Sequence, residues 1–524
     1  MMNEEKNSDF NHGVGHEWRE EATDLEVGGD FTLPDYQPQI RRILRTDTVL
    51  LPAGRFAGEG RWEFGGVAGY TLIYSDADGK LAAANLDADY EYAVKHSSAP
   101  SRCWREDTAE GTVCRPQGPR RVTLRTRVAG NTAFTWDAQS PSKDSLLPEG
   151  VDKDRVEWLS ETSPRMALFV EEGEEIPFSA AVSPEGVSAE DLRVLWSRYY
   201  VEVTETAVTD GGVSVKGQIH LSCTVASGED TLPTVCETVA DFATEVPFDE
   251  KKEGDRPLAF GFCRGVTVTP TESGEDTMLL FEGECIVTVC LAGNRPYRSY
   301  RDVYGIGQKL HVTYKEEKVA ELLGAARGTY PITAHLPRGE EAMEATGVLD
   351  TAGRIVSREL TFSRGCATVA GEWEAQLILV GAREGEGGAK FIPATVRAPY
   401  RIEIPLEGSR EADGGRLHLS LCGAVGRIDG ESFSVSATLH AELCAYRNGT
   451  FTRVDGITAG EREEGKGSIA LYYPEEKETL WSVGKKYGVP LAALAKDNNL
   501  AHDAVENAGI GKPLDGISAL LVLK

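Results

Sequence analysis

Residues 65–94, GGVAGYTLIYSDADGKLAAANLDADYEYAV, decide the fold. Two runs in which apolar and polar residues alternate flank a short acidic turn that contains Asp78-Gly79. Alternation at a period of two places one set of side chains on a single face of a half-buried strand. An Asp-Gly pair between two such runs is the signal of a β-hairpin.

Two further stretches repeat the pattern. They are GGVSVKGQIHLSCTVASGEDTLPTVCETVADFATEVPF at 211–248 and CATVAGEWEAQLILVGAREGEGGAKFIPATVRAPYRIEIPL at 366–406. Aligned on Gly69, Gly217 and Gly371, the three copies lie about 150 residues apart, the mark of an internal repeat. Each is preceded by an alternating lead-in: IRRILRTDTVLL at 40–51, LRVLWSRYYVEVTETAV at 192–208, and GRIVSRELTFSRG at 353–365. Each is followed by a second alternating set, at 120–134, 276–300 and 430–451. The predicted fold is therefore mainly β: three repeated antiparallel units, sandwich-like rather than barrel-like.

The expected boundaries are an acidic disordered tail over 1–25, β domains over 26–150, 151–305 (with a linker at its start) and 306–456, a linker over 457–467, and a C-terminal module over 468–524. With 524 residues the chain is long enough for three or four domains, and 41% hydrophobic residues suit folded ones. A formal charge of -28, from 83 acidic against 55 basic residues, repels phosphates and anionic lipid, which argues against nucleic acid and membrane partners. No basic and apolar leader opens the sequence and no apolar run is long enough to span a bilayer, so a soluble, cytoplasmic protein is expected. The ten cysteines include no C-x-x-C pair, and Cys223, Cys285 and Cys290 sit in strand-like runs. Reduced core thiols are the expected state, with a Cys103–Cys114 pair inside a surface insertion at 98–121 as the alternative.

From residue 468 the pattern changes to strand, helix, helix, strand, a βααβ unit. Leu480, Val483 and Tyr487 share one helical face, and Leu491, Leu494 and Ala495 another. Thr479 is the predicted N-cap, Gly488 the helix stop, and Pro490 opens the second helix. The run ETLWSVGKKYGVPLAALAKDNNL at 478–500 resembles the helix pair of a LysM module. The resemblance implies a shallow groove for chains of N-acetylglucosamine, with Glu478, Thr479 and Leu480 on one lip and Asp497, Asn498, Asn499 and Leu500 on the other. Lys477 stands where that family has a turn glycine, and an insert at 501–516 replaces a short loop.

The lead LPDYQPQIRRIL at 33–44, with the strand, acidic hairpin and alternating tail behind it, resembles the SPOCS domain. Three such domains and a terminal LysM are similar to the layout of spore coat assembly proteins of endospore-forming bacteria. That implies a non-enzymatic scaffold made in the mother cell, acting at the forespore surface by binding a coat morphogenetic protein. The other reading is a cell-wall or spore-cortex protein that binds peptidoglycan through its LysM.

No nucleophile elbow, P-loop or dinucleotide fingerprint occurs, so neither catalytic residues nor a cofactor are expected. HEWRE at 16–20 starts like a zinc-protease helix but carries Glu20 where the second ligand belongs, and no metal site is assigned. SDADGK, at 75–80, is read as a hairpin turn rather than a calcium loop. Trp196, Tyr199 and Tyr200 form an aromatic stripe, with Trp196 and Tyr200 on one face. Arg41, Arg42 and Arg45 are expected to be a solvated, charge-balancing face.

Overall fold

The computed structural model describes the chain apart from residues 1–10, 14–15, 59, 96–101, 137–140, 185–191, 229–231, 274–275, 383–388, 407–411, 463–466, 501–512, 515 and 524. The protein is mainly β and built from several antiparallel sheets.

The first unit contains β1 (Asn11–Gly13), β2 (His16–Thr32), β3 (Arg42–Gly58), β4 (Arg61–Ser75), β5 (Leu81–Lys95), β6 (Arg102–Gly118) and β7 (Arg121–Trp136). A short helix, α1 (Lys143–Leu146), precedes the second unit, which contains β8 (Val156–Glu172), β9 (Ile176–Val182), β10 (Leu192–Val208), β11 (Gly212–Ser227), β12 (Thr234–Pro247), β13 (Arg256–Ser273) and β14 (Asp276–Gly305). The third contains β15 (Gln308–Pro337), β16 (Ala345–Ser363), β17 (Cys366–Gly381), β18 (Lys390–Pro405), β19 (Gly414–Asp429) and β20 (Ser432–Arg462). The chain closes with β21 (Ile469–Tyr472), α2 (Leu480–Tyr487), α3 (Leu491–Asp497) and β22 (Leu520–Leu523).

One strand order recurs. The three sheets β3-β4-β5, β10-β11-β12 and β16-β17-β18 are meanders, and each faces a sheet ordered β2-β7-β6, β8-β14-β13 or β15-β20-β19. Alternation explains the facing surfaces: β12 and β18 bury every second residue over much of their length. The buried side chains of both sheets form one apolar cluster per unit. Tyr70 and Leu124 meet in the first, Ile219 and Phe281 in the second, and Leu377 and Leu439 in the third. Each fully buried side chain of this size contributes about 1.5–3 kcal/mol over an exposed one.

Strand pairing corrects the alignment of the repeats. The equivalent glycines are Gly66, Gly217 and Gly371, which pair with Tyr90, Phe242 and Tyr400. In each unit the aromatic side chain covers the glycine. A Cβ at Gly66 would stand 2.4 Å from Tyr90 Cζ, one at Gly217 2.5 Å from Phe242 Cζ, and one at Gly371 3.0 Å from Tyr400 Oη. Only glycine leaves that space, and the ring supplies the packing that glycine lacks. Gly69 lies one strand period and a residue further on and has no such cover.

Other expectations are corrected by the pairing. The tail assigned to 1–25 is strand from His16 onward, with β2 paired to β7 along its whole length. HEWRE thus lies on a strand rather than a helix. The insertion at 98–121 is largely β6, one edge of a sheet. Its Cys103 and Cys114 are eleven positions apart on that strand, about 35 Å, which excludes a disulfide between them. The linker placed at 457–467 is strand up to Arg462 in β20. The acidic, proline- and glycine-bearing stretch at 171–187, whose composition predicts a joint between units, contains β9, which pairs with β14.

The prolines of the first lead lie between strands, where a missing N–H costs nothing. Leu33 N–H donates to Arg120 O at 2.8 Å, Ile40 N–H to Pro119 O at 2.7 Å, and Tyr74 Oη to Pro38 O at 3.0 Å. Tyr36, at the tip, is 83% exposed.

Nine cysteines among the described residues are free thiols; Cys114 and Cys366 are half-buried and seven are buried. Burial pushes Cys223 and Cys422 up to about 12. Alkylation of the native protein at neutral pH is accordingly expected to reach Cys114 and Cys366 before the others, with the buried seven labelled only after denaturant is added. Peptide mass mapping of native and unfolded samples checks this.

Candidate functional site

The C-terminal module is held by its own local chemistry. Thr479 caps α2 by accepting from Ser482 N–H, and Ser482 returns the bond to Thr479 N–H, a capping box. Gly488 ends the helix in the left-handed region at φ 66°. Pro490 is the N-cap of α3 rather than its first helical residue. Leu480, Trp481, Val483, Leu491, Leu494 and Val522 form the small core, and β21 pairs with β22.

Five of the seven expected lip residues are engaged within the module. Leu480 is buried in its core, and Leu500 packs against it. Thr479 is the cap. Glu478 accepts from Tyr472 Oη at 2.8 Å and from Glu475 N–H at 2.9 Å. The Glu475 N–H and Tyr472 hydroxyl together hold the Glu478 carboxyl below the usual range. Asn498 ties α3 to β22: its Nδ2 donates to Leu494 O and Leu521 O, both at 2.8 Å, and its Oδ1 accepts from Leu521 N–H at 2.6 Å. Asp497 and Asn499 are exposed. The first lip is tied to the end of the insert, where Leu514 N–H donates to Glu478 O at 2.8 Å. Most of the insert at 501–516 lies outside the described residues.

Lys477 adopts φ 71° and Asn499 φ 53°, the only two non-glycine residues with positive φ among those described. The left-handed region is strained for a lysine. Lys477→Gly is therefore expected to stabilise the module by about 1 kcal/mol, read as a shift of its denaturant midpoint at unchanged slope.

The module is seated on the second and third units through Asp302. This aspartate follows a register shift between Tyr300 and Asp302 in β14. It accepts from Trp481 Nε1 at 2.9 Å, Lys485 Nζ at 2.7 Å and Tyr314 Oη of β15 at 2.7 Å. Burial alone would raise its pKa; these donors outweigh it and hold the carboxyl below its ordinary value. Beside it, Tyr304 stacks edge-on against Trp481 at 4.9 Å and donates to Val489 O at 2.8 Å.

A second constellation joins all three units. Their lead strands β3, β10 and β16 each carry a register shift, between Ile43 and Arg45, Val194 and Trp196, and Val348 and Asp350. The skipped residues Leu44, Leu195 and Leu349 converge in one apolar cluster with Ile73, Ile378 and Phe391. A bulge re-aims the residue after it, and here those three residues meet. Asp350 accepts from Arg45 Nη2 at 2.7 Å, from Trp196 Nε1 at 3.2 Å, and from Arg198 Nη2. Arg45 also pairs with Asp47 at 2.7 Å. The side chains of Arg45 and Asp350 are 1% and 4% exposed. Burial opposes charge on both, yet the attraction prevails: Asp350 is held below its usual range and Arg45 above its own.

These positions correct two expectations. Arg45 is the buried centre of the junction rather than part of a solvated face; Arg41 is exposed, and Arg42 is half-exposed and bonds Glu341 of the third unit at 2.6 Å. Of the aromatic stripe, Trp196 is buried at Asp350, Tyr199 donates to Cys263 O at 2.7 Å, and Tyr200 stacks on His220 at 4.3 Å. The bulge at Leu195 precedes the stripe, so alternation holds across it, with Trp196 and Tyr200 on one face and Tyr199 on the face packed against the core. The third lead-in begins eight residues earlier than expected, at Ala345, so it includes Asp350. Residues 75–80 close the β4–β5 hairpin, with Asp76 Oδ1 accepting from Lys80 N–H at 2.8 Å.

Comparison with protein-family models, with curated proteins and with solved structures finds no match. No helix among the described residues is long and apolar enough to cross a membrane, and no cluster of His, Cys, Asp or Glu among them forms a metal site.

Proposed function

We propose that the chain is a non-enzymatic adaptor of spore-envelope assembly. In this reading the units are three sandwich-like SPOCS domains, the C-terminal βααβ unit is a LysM module, and the partner is a coat morphogenetic protein met at the forespore surface in the mother cell. One observation carries the choice of a protein partner over a glycan. The polar side chains of the lips are largely spent inside the module, while the neighbouring β21 and the residue after it leave Ile469, Leu471 and Tyr473 76%, 59% and 65% exposed. Contiguous exposed apolar side chains on a sheet suit protein contact.

The test uses the intact chain and its Ile469→Asp/Leu471→Asp variant in pull-downs from sporulating cells, beside sedimentation with purified peptidoglycan. Capture of a coat protein that the variant loses is the expected result. Sedimentation with peptidoglycan that Asp497→Ala/Asn499→Ala abolishes, with no coat protein captured, would replace the adaptor by the second reading, glycan binding through the two exposed lip residues.

A further inference from the structure

The outer faces of the second and third units meet around a hollow. On the third unit, Arg327, Glu442 and His418 form one row across β15, β20 and β19, and Thr329, His440 and Ser420 form the next. Leu439, Ala441 and Leu443 point into that unit's core, which turns His440 and Glu442 outward. On β10, Tyr199, Val201 and Val203 pack against the second core, which turns Tyr200 and Glu202 toward the same space.

Three of the contacts between the faces lie around the hollow. Ala259 N–H donates to Glu442 Oε2 at 2.7 Å, Phe260 stacks on His418 at 4.7 Å, and Glu202 approaches His440 at 3.7 Å. Between them remains a cavity of about 310 Å³, which residues Val49 and Leu50 of the first unit also line. That volume lies within the range of small-molecule sites, which favour seams between domains.

The chemistry of the walls selects the ligand. Glu442 is paired with Arg327 at 2.6 Å, and Glu202 lies 3.0 Å from His220 and 3.7 Å from His440. Neither carboxylate is left without a partner, so the cavity offers little to a free anion or cation. Burial pushes Glu442 up and His440 down, each toward its neutral form. Ser420, Thr329 and the neutral imidazole of His440 both donate and accept, which matches hydroxyl groups. Tyr200 and Phe260 add aromatic surface for an apolar ring edge.

We propose that this seam binds a neutral, hydroxyl-rich ring of monosaccharide size, with Glu202, Ser420 and His440 as its hydrogen-bonding groups and Tyr200 and Phe260 as its apolar wall. The site shares no lining residue with the lips of the C-terminal module and does not depend on the adaptor reading.

Saturation-transfer NMR and thermal-shift titrations of the intact chain test it, with glucose, galactose and N-acetylglucosamine beside glucuronate and glucosamine. Ser420→Phe fills the cavity, and Glu202→Gln removes the carboxylate at constant size. At least one neutral sugar is expected to bind the wild type better than either charged one, with binding weakened about tenfold by Ser420→Phe and about threefold by Glu202→Gln. If Ser420→Phe does not fold, as judged by circular dichroism, Glu202→Gln decides alone. Absence of saturable binding by any neutral sugar up to about 50 mM would overturn the proposal. So would preference for a charged sugar, or binding unchanged in the variants.

Discussion

Asp350→Ala is expected to cost about 3–5 kcal/mol of stability and to split the unfolding of the β units into separate steps. The variant removes the acceptor for Arg45, Trp196 and Arg198 at once. Arg45 then stays almost fully buried with only Asp47 beside it. Breaking a buried pair from one side leaves a charge uncompensated, which costs far more than an intact pair contributes. Urea unfolding followed by both tryptophan fluorescence and far-UV circular dichroism checks this, because coincident transitions in the wild type should separate in the variant. The pH dependence follows from the same residue. Its folded-state pKa lies below the unfolded value, so its contribution is complete above the ordinary carboxylate range and is lost as pH falls below it.

The second large effect is expected at Asp302. Asp302→Ala removes the acceptor for Trp481, Lys485 and Tyr314. Each lost charge-assisted bond is worth about 1.5–3 kcal/mol before relaxation, and Trp481 Nε1 loses its partner at the contact. Because Asp302 lies in β14, outside the module, the core around Val483 and Leu494 is untouched. Hydrogen exchange should therefore rise at the seating surface, around Trp481–Leu491 and Tyr304, while the centres of β11 and β17 keep their protection. Uniform loss of protection across all units would show instead that the module is a structural part of the β body. Asp302 also titrates below the usual range, so acidification should loosen this contact as it loosens the Asp350 junction.

Much of the architecture was legible because local rules sufficed. Period-two alternation and the Asp78-Gly79 turn specify β4 and β5, and Thr479, Gly488 and the apolar spacing specify α2. The junction was not legible, because three bulges make it and alternation breaks at each bulge. A trace remains in Ile43-Leu44-Arg45-Thr46, Val194-Leu195-Trp196-Ser197 and Val348-Leu349-Asp350-Thr351, a recurring branched residue, leucine, variable residue and hydroxyl. Aligning on these segments would have found the junction, and with it the equivalence of Gly66 with Gly217 and Gly371. Arg45 was read as surface because charge on an alternating strand is usually solvated; its partner lies 305 positions away. The motif names Glu478–Leu480 and Asp497–Leu500, but the hydrogen bonds of Glu478 and Asn498 depend on Tyr472 and β22, which motif spacing does not convey.

These contacts change how repetition would serve the proposed adaptor. Units on flexible linkers raise the effective concentration of successive contacts. Units joined at Asp350 instead present their surfaces in one fixed arrangement, which favours a partner shaped to meet several of them together.

A double-mutant cycle on Arg45 and Asp350 tests that joining most directly. Denaturant stabilities of Arg45→Ala, Asp350→Ala and the double variant give the coupling between the first and third units. A coupling of about 1.5–3 kcal/mol, with the double variant little worse than either single one, is the predicted result. Strictly additive losses would contradict it and return the three units to independent domains on a string.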